Sequence, residues 1–276
     1  MKFGISTLSI IPLRSEPNDR SEMTSQLLFG EHYKIIEIQN KWSKIQIAHD
    51  KYIGWISNNQ VLEIQKDEFD RLEKEIPTLT TDILDIIEGN FHQPIVIGSV
   101  LPFFKSDHAL IDNKMYKFTG NKTQGFSQKK QLINNAMIFL NAPYLWGGRT
   151  PFGIDCSGFT QLIYRLHGIN LARDAYQQYE SGKIITDIKE IEAGDLAFFE
   201  NKSGKIVHVG IIMDNNKIIH ASGKVRIDKL DEKVAVSDCY LFTTYVSMYH
   251  TLAIYYRVFL LKKVVWLLFK SLGIYV

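Results

Sequence analysis

Residues 144–158 constrain the fold more than any other part of the chain, because a glycine-rich loop there leads directly into an amphipathic helix. Apolar side chains then recur at helical spacing, at Phe159, Leu162, Ile163 and Leu166. This spacing predicts a helix that begins near Cys156 and buries its apolar face. Because a helix N-terminus favours a thiolate over a thiol, we expect a lowered pKa and a nucleophilic sulfur at Cys156.

The chain offers two histidines as partners for this thiol. His208 lies in an alternating run at residues 206–213 that predicts a strand, and His220 lies in a second run after a turn at Asn215 and Asn216. One imidazole would take the thiol proton and the other would orient it, in the chain order Cys, His, His. Taken singly, these residues also fit structural roles, as a buried cysteine or hydrogen-bonded strand histidines. Their combination favours nucleophilic chemistry.

Metal, phosphate and nucleic-acid sites are not indicated. The two cysteines and two histidines lack the close Cys-x-x-Cys or His-x-x-x-His spacing of zinc sites, so we predict no metal. The glycine pair at 147–148 is not followed by Gly-Lys-Ser/Thr, and the net charge of +2 predicts no nucleic-acid partner. We expect Cys239, which has no comparable setting, to be inert rather than part of a disulfide framework.

Residues 128–222 resemble the NlpC-type papain-like peptidases, which cut peptidoglycan peptides. The resemblance rests on residues 144–158, on Arg-Asp-Ala-Tyr-Gln-Gln at 173–178, on Ala-Gly-Asp-Leu-Ala-Phe-Phe at 193–199 and on the segments around both histidines. It implies a peptidase that needs no cofactor. It also implies catalytic roles, with Cys156 as nucleophile, His208 as base, His220 as the polar third member and Tyr144 near the oxyanion.

The residues that flank the cysteine bind substrate in that family, which here implies Asp155 and Ser157. Asp155 also stands where a helix N-cap is expected, and the two roles are compatible. Arg173 and Asp174 either shape the substrate groove or pair with each other.

The sequence predicts an α+β protein in which a papain-like domain at 127–238 follows small all-β units. Residues 1–66 resemble a bacterial SH3-like domain, with β-type runs at 9–13, 32–38, 42–48 and 52–56. Residues 67–126 are predicted as a charged linker and, by position, a second SH3-like domain with short strands at 96–100, 101–104 and 115–118. Ser127 is expected to cap a helix that runs through Leu140.

Two SH3-like domains ahead of such a domain resemble the γ-D-glutamyl-L-diamino-acid endopeptidases that act on free peptides. In that subgroup the first module closes one end of the groove and selects a free N-terminal L-Ala. Glu22 and Tyr52 match those positions, and a carboxylate with an aromatic edge suits an ammonium group. Alternatively, Glu22 is an exposed turn residue and Tyr52 is a packing residue.

The resemblance implies a murein peptide, L-Ala-γ-D-Glu-diamino acid, as substrate. The apolar residues of segment 1–12 are interrupted by Gly4 and Ser6, which predicts a first strand rather than a signal peptide, and hence a cytoplasmic enzyme that recycles wall fragments. An exported periplasmic or extracellular endopeptidase that acts on intact wall is one alternative. A wall-binding protein with an idle catalytic domain is another.

Residues 239–276 form an apolar tail that departs from the family pattern and contains four basic residues, Arg257, Lys262, Lys263 and Lys270. Its longest late apolar run, residues 264–269, is far shorter than the roughly 18 residues that span a bilayer. Three interpretations remain open: a basic amphipathic helix on a membrane surface, a hydrophobic helix packed on the papain-like domain, or a final strand replaced by a reading-frame change.

Overall fold

A computed structural model describes residues 1–230 and 243–247 of the chain. It contains three successive parts, which we call the N-terminal β-unit (residues 1–64), the middle β-unit (residues 78–124) and the C-terminal unit (residues 130–230 with 243–247). A short helix, α1 (Lys66–Leu72), connects the two β-units. The charged segment predicted as a linker is therefore partly helical.

The N-terminal β-unit is an antiparallel sheet of seven strands in the order β3-β2-β6-β5-β4-β1-β7. Alternating burial along β2 and β5 places Ile11, Leu13, Ile45 and Ile47 in one core, as a period of two requires. The strands are β1 (Lys2–Ile5), β2 (Ile10–Arg14), β3 (Met23–Leu28), β4 (His32–Gln39), β5 (Trp42–Ile47), β6 (Ile53–Ser57) and β7 (Leu62–Ile64).

The middle β-unit consists of two small antiparallel sheets, ordered β10-β9-β13-β12 and β11-β8-β14. Its core is continuous with that of the N-terminal β-unit, because Phe3 and Phe69 belong to the same buried cluster as Ile95 and Phe118. The two β-units therefore share a hydrophobic core. The strands are β8 (Thr78–Thr80), β9 (Leu84–Glu88), β10 (His92–Val96), β11 (Val100–Leu101), β12 (His108–Ile111), β13 (Lys114–Lys117) and β14 (Lys122–Gln124).

The C-terminal unit packs helices against a six-stranded antiparallel sheet ordered β17-β22-β18-β19-β20-β21. Its helices are α2 (Lys130–Met137), α3 (Cys156–Leu166) and α4 (Ala175–Ser181). The sheet contains β17 (Lys183–Ile185), β18 (Leu196–Glu200), β19 (Ile206–Met213), β20 (Lys217–Ser222), β21 (Lys224–Lys229) and β22 (Thr243–Ser247). A separate two-stranded ladder pairs β15 (Arg149–Thr150) with β16 (Gly153–Ile154) ahead of α3.

Helix α3 is buried along its whole length, although its sequence is amphipathic. Its apolar face packs on the sheet, and its polar face meets the N-terminal β-unit. There Gln161 donates a hydrogen bond from Nε2 to Asp50 at 2.9 Å, and Arg165 pairs with Glu31. The polar side of this amphipathic helix is thus an interface between units rather than a solvent-exposed face.

The predicted bounds of one helix and two short strands are wrong. Ser127 does not cap α2, because its hydroxyl is hydrogen-bonded to the ring of His167, and the helix begins at Lys130. The helix also ends at Met137 rather than running through Leu140. The predicted strand at 96–100 is instead the connection from the end of β10 to the start of β11. Of the predicted strand at 101–104 only Leu101 belongs to β11, since Phe103 has a φ of 50°, outside the β region.

Strand β22 extends the C-terminal sheet beyond the boundary predicted at residue 238. Its backbone lies between β17 and β18, so the catalytic sheet includes part of the predicted apolar tail. The remaining tail residues, which include Cys239 and the four basic residues, lie outside the described residues. The three interpretations of the tail concern these residues and stay predictions. Within residues 1–230 and 243–247, no helix is both long and apolar enough to cross a bilayer.

Candidate active site

Asp155 fixes the start of α3 and the loop before it. One carboxylate oxygen accepts the Gly158 N–H at 2.7 Å as an N-cap, and the other accepts the Gly147 N–H at 2.8 Å. Gly147 has a φ of 76°, and a Cβ there would lie 2.2 Å from the carbonyl oxygen of Met23. Any side chain at this position would therefore push the loop away from the N-terminal β-unit.

Arg173 binds Asp155 rather than Asp174. Its guanidinium donates to both oxygens of Asp155, at 3.0 and 2.6 Å, and to the hydroxyl of Ser157 at 3.0 Å. Its Nε donates to the hydroxyl of Ser25 in the N-terminal β-unit at 3.0 Å. Of the two alternatives for Arg173 and Asp174, the ion pair between them is not formed. Arg173 instead holds the two residues that flank Cys156 and connects them to the other unit.

The two predicted histidines are in direct contact on adjacent strands. His208 Nε2 lies 2.8 Å from His220 Nδ1, and both rings are buried. The backbone N–H of Val209, the next residue along β19, is close enough to Cys156 to oppose the rise of the thiol pKa, so β19 lies against the first turn of α3. The structure therefore pairs the two predicted histidines and places the strand that carries His208 against the first turn of α3, where Cys156 lies.

Two further polar residues, Asp228 and Arg226, complete this arrangement, and sequence reasoning missed both. His220 Nε2 lies 3.0 Å from Asp228 Oδ2, and Arg226 donates from Nε to the same oxygen at 2.9 Å. In the β20–β21 hairpin, His220 is paired with Arg226 in register. A hairpin predicted around Gly223 would have placed both residues of β21 beside His220.

The resting site holds a neutral cysteine and a neutral histidine. Burial, followed by the charge of Asp155, raises the pKa of Cys156 to about 12, against hydrogen bonds from the backbone N–H groups of Val209 and Ser157. Burial, with the neighbouring His220 and Arg226, lowers the pKa of His208 to about 3. The expected lowering of the Cys156 pKa is therefore wrong, because desolvation outweighs the helix N-terminus.

We expect kcat/KM to stay flat between about pH 5 and 7, because His208 remains an unprotonated base well below the ordinary histidine pKa of 6.5. Activity should fall only when acid protonates this ring. Alkylation of Cys156 by iodoacetamide should likewise show no thiolate plateau below about pH 8. An acid limb of kcat/KM near pH 6.5, or a plateau of alkylation at pH 6, would indicate a preformed ion pair instead.

A cleft of about 520 Å³ leads to Cys156 and is walled by both the N-terminal β-unit and the C-terminal unit. It contains six of the predicted substrate-binding residues together with the nucleophile. The residues that line it are Glu22, Thr24, Tyr52, Trp146, Asp155, Cys156, Ser157, Arg173, Asp174, Ala175, Tyr176, Ile206 and Val207.

Glu22, Tyr52 and Asp174 are the polar lining residues of this cleft that suit a cationic group. The Trp146 indole N–H donates to Glu22 Oε1 at 2.5 Å, so the exposed Glu22 is held toward the C-terminal unit. The Tyr52 hydroxyl lies 3.5 Å from Asp174, and burial with this carboxylate raises the Tyr52 pKa to about 12. Asp174 also forms a capping box with Gln177 at the start of α4. The cleft therefore contains two carboxylates and an aromatic edge besides the residues around Cys156.

Tyr144 lies near the nucleophile, as its electrostatic environment shows. Its pKa is raised by burial and then by the charges of Cys156 and Asp155. Its backbone N–H donates to the Gly223 carbonyl at 3.1 Å, which anchors it to the turn between β20 and β21. Its role at the oxyanion stays a prediction. Among residues 1–230 and 243–247, no cluster of three or more His, Cys, Asp or Glu side chains could hold a metal ion.

A buried ionic cluster joins the two walls of the cleft. Glu31 accepts two hydrogen bonds from Arg149, at 2.9 and 3.0 Å, and a further one from Arg165, and all three side chains are almost fully buried. The charges of Arg149 and Arg165 hold the pKa of Glu31 well below its usual range, against the opposing effect of burial. Arg149 also donates to the Gln26 carbonyl at 2.6 Å. We call these four residues the interunit cluster.

Comparison with known proteins agrees with this architecture. Residues 141–245 match the NlpC/P60 family, and residues 13–61 match the bacterial dipeptidyl-peptidase Sh3 domain. The chain carries an NlpC/P60 domain behind a bacterial SH3 domain. The NlpC/P60 match extends into β22, so the papain-like domain continues past the boundary predicted at residue 238.

Two Bacillus proteins are similar to this chain over most of its length. A gamma-D-glutamyl-L-lysine dipeptidyl-peptidase of Bacillus cereus is 28% identical over 228 residues, covering 73% of this chain and 68% of that protein. Its namesake in Bacillus subtilis is 29% identical over 224 residues, covering 71% of each. The predicted resemblance to NlpC-type peptidases is confirmed.

The crystal structure of an NlpC/P60 family protein from Bacillus cereus has the same fold. It superposes with a TM-score of 0.77 at 21% identity, covering 89% of this chain and 99% of that one. The predicted fold class, an α+β papain-like domain preceded by small all-β units, is confirmed.

Proposed function

We propose that this chain hydrolyses the γ-D-glutamyl to L-diamino acid bond of murein peptides that have a free N-terminal L-Ala. The observation that carries the proposal is the composite cleft, in which Glu22 and Tyr52 of the N-terminal β-unit share one space with Cys156. The names of the two Bacillus relatives support a γ-D-glutamyl bond as the target. The identity of the diamino acid is left to experiment.

The reaction follows from the neutral resting pair. As Cys156 attacks the γ-carbonyl carbon, its proton passes to His208, and negative charge develops on the carbonyl oxygen. Tyr144 and N–H groups in the first turn of α3 are the donors available to that oxygen. His208 then protonates the leaving amine of the diamino acid, which leaves a thioester on Cys156. Water activated by His208 hydrolyses the thioester and restores the thiol.

The acidic lining of the cleft suits a free α-ammonium. Glu22 and Asp174 are carboxylates contributed by the two units that wall the cleft, and the Tyr52 hydroxyl lies beside Asp174. An ammonium placed there gains charged hydrogen bonds, whereas an amide-linked N-terminus would bring no charge and added bulk. A peptide still attached to a glycan lacks this ammonium, so the proposed substrate is one already released from the wall.

Acetylation of the N-terminal L-Ala is expected to lower kcat/KM by about 10-fold to 100-fold, because it removes a charged hydrogen bond. Glu22→Gln should reduce the difference in kcat/KM between free and acetylated peptides, because it slows cleavage of the free peptide. Mass spectrometry of products from L-Ala-γ-D-Glu-L-Lys, its diaminopimelate analogue and their acetylated forms measures this. Glu37→Gln, on the exposed end of β4, is the matched control.

The same panel separates the alternatives. Equal cleavage of free peptide, acetylated peptide and intact wall would favour an exported wall endopeptidase. Binding to wall without cleavage of any peptide would favour a wall-binding protein with an idle catalytic domain. For a peptidase of released peptides we propose the cytoplasm as the compartment, and recovery of the protein only from the wall fraction would contradict this.

A further inference from the structure

The hydrogen bonds behind His208 determine which ring nitrogens carry hydrogen. Partial burial raises the pKa of Asp228, but the hydrogen bond from His220 and the charge and hydrogen bond of Arg226 outweigh this, so the carboxyl is ionised at neutral pH. An ionised carboxylate only accepts hydrogen bonds. The contact of 3.0 Å between Asp228 Oδ2 and His220 Nε2 therefore requires a hydrogen on that Nε2.

The hydrogen on His220 Nε2 determines where the hydrogen of His208 lies. Burial lowers the pKa of His220, so its ring is neutral and carries a single hydrogen, which leaves Nδ1 as an acceptor. The contact of 2.8 Å from His220 Nδ1 to His208 Nε2 then requires the hydrogen of His208 to lie on Nε2. His208 is left with one free lone pair, on Nδ1, and this atom alone can take the proton of Cys156.

We propose that Asp228 is a positioning residue for the hydrolysis: by accepting from His220 Nε2–H, it fixes the tautomers of both histidines so that His208 Nδ1 is the base. The inference rests on the proposed function, since it assigns a part in that reaction. Asp228 does not touch the substrate cleft. It acts through two imidazoles, as a second orienting group beyond the predicted Cys, His, His order.

The groups around the two imidazole rings support the proposal that Asp228 orients His220 and, through it, His208. The charged or titratable groups that act on them are Arg226 and Asp228 from β21, and Cys156 lies on the facing first turn of α3. Arg226 is bonded to the same oxygen of Asp228 that His220 contacts, which holds the carboxylate in place. Asp228 is 30% exposed at its side chain, so its removal leaves space that water can enter without collapse of the core.

Replacement of Asp228 by alanine is expected to lower kcat by about 10-fold, with KM changed less than about two-fold, because the orientation of the base is lost while the cleft is intact. Alkylation of Cys156 by iodoacetamide, which needs the same proton transfer, should slow in parallel. The ring ¹H–¹⁵N correlation spectrum should show a single Nε2–H tautomer of His220 in the wild type and a mixture in Asp228→Ala. Asp228→Asn retains an oxygen acceptor and should preserve most of that tautomer and of kcat.

Asp214→Asn, in the exposed turn after β19, is the control for loss of one surface carboxylate. A single Nε2–H tautomer in Asp228→Ala, or an unchanged kcat and alkylation rate, would overturn the proposal, as would a lower kcat without a change in tautomer. The tautomer and alkylation measurements need no peptide. A wild type that cleaves no murein peptide would therefore refute the proposed function while these two readouts still decide the role of Asp228.

Discussion

Replacement of Cys156 by alanine is expected to lower hydrolysis of the free peptide by on the order of 10⁴-fold or more, because the thioester cannot form. Cys156→Ser should be almost as inactive, since His208, with its lowered pKa, is too weak a base to activate a hydroxyl. Loss of one sulfur atom from a buried site costs little packing, so the thermal unfolding midpoint should change by only a few degrees, roughly.

The measurement is kcat/KM on purified variants, with circular dichroism to confirm the fold. Cys239→Ala is the matched control, because the sequence predicts an inert thiol there, and it should retain full activity. If Cys156→Ala kept most of its turnover, or if Cys239→Ala lost it, the proposed covalent mechanism would fail.

Replacement of Glu31 by glutamine is expected to destabilise the protein by about 3–5 kcal/mol, because it leaves two buried guanidinium groups without a counter-charge. Arg149 and Arg165 both donate to this carboxylate, which is 1% exposed. Urea unfolding at pH 7 measures the change. Glu63→Gln, which removes an exposed pair with Lys2, is the matched control and should change stability by no more than about 1 kcal/mol.

The lowered pKa of Glu31 makes the free energy of unfolding depend on pH. The pKa of Glu31 is lowered from its ordinary 4.5, so its stabilising effect is complete above that value and is lost as the pH falls below it. Wild type should therefore lose its advantage over Glu31→Gln as the pH is lowered below 4.5. A constant difference between the two proteins from neutral to strongly acidic pH would contradict the buried ion pair.

Local patterns were sufficient for the elements that hold the chemistry. The spacing after Cys156 predicts α3, and the alternating runs around His208 and His220 predict β19 and β20, because each pattern reflects which face of one element is buried. The predicted runs at 32–38 and 42–48 differ from β4 and β5 by a single residue at one end.

The contacts that determine protonation could not be predicted in this way. Arg173 is bound to Asp155 and to Ser25 of another unit, a pairing that depends on how the units dock. Similarly, the raised pKa of Cys156 is caused by burial, which is a tertiary property that a helix start in the sequence does not reveal. Asp228 was missed because its partner is a histidine across a hairpin, whose register a single strand pattern leaves undetermined.

The interunit cluster also limits which N-terminal β-units can be exchanged between proteins of this architecture. The walls of the cleft belong to different units, so a change of N-terminal β-unit would alter which peptide ends are accepted while the chemistry at Cys156 stays the same. A donor unit without a carboxylate at the place of Glu31 would leave Arg149 and Arg165 unpaired in the seam. We therefore expect that only an N-terminal β-unit with a carboxylate at the place of Glu31 can be exchanged to change specificity, whatever the sequence of its loops.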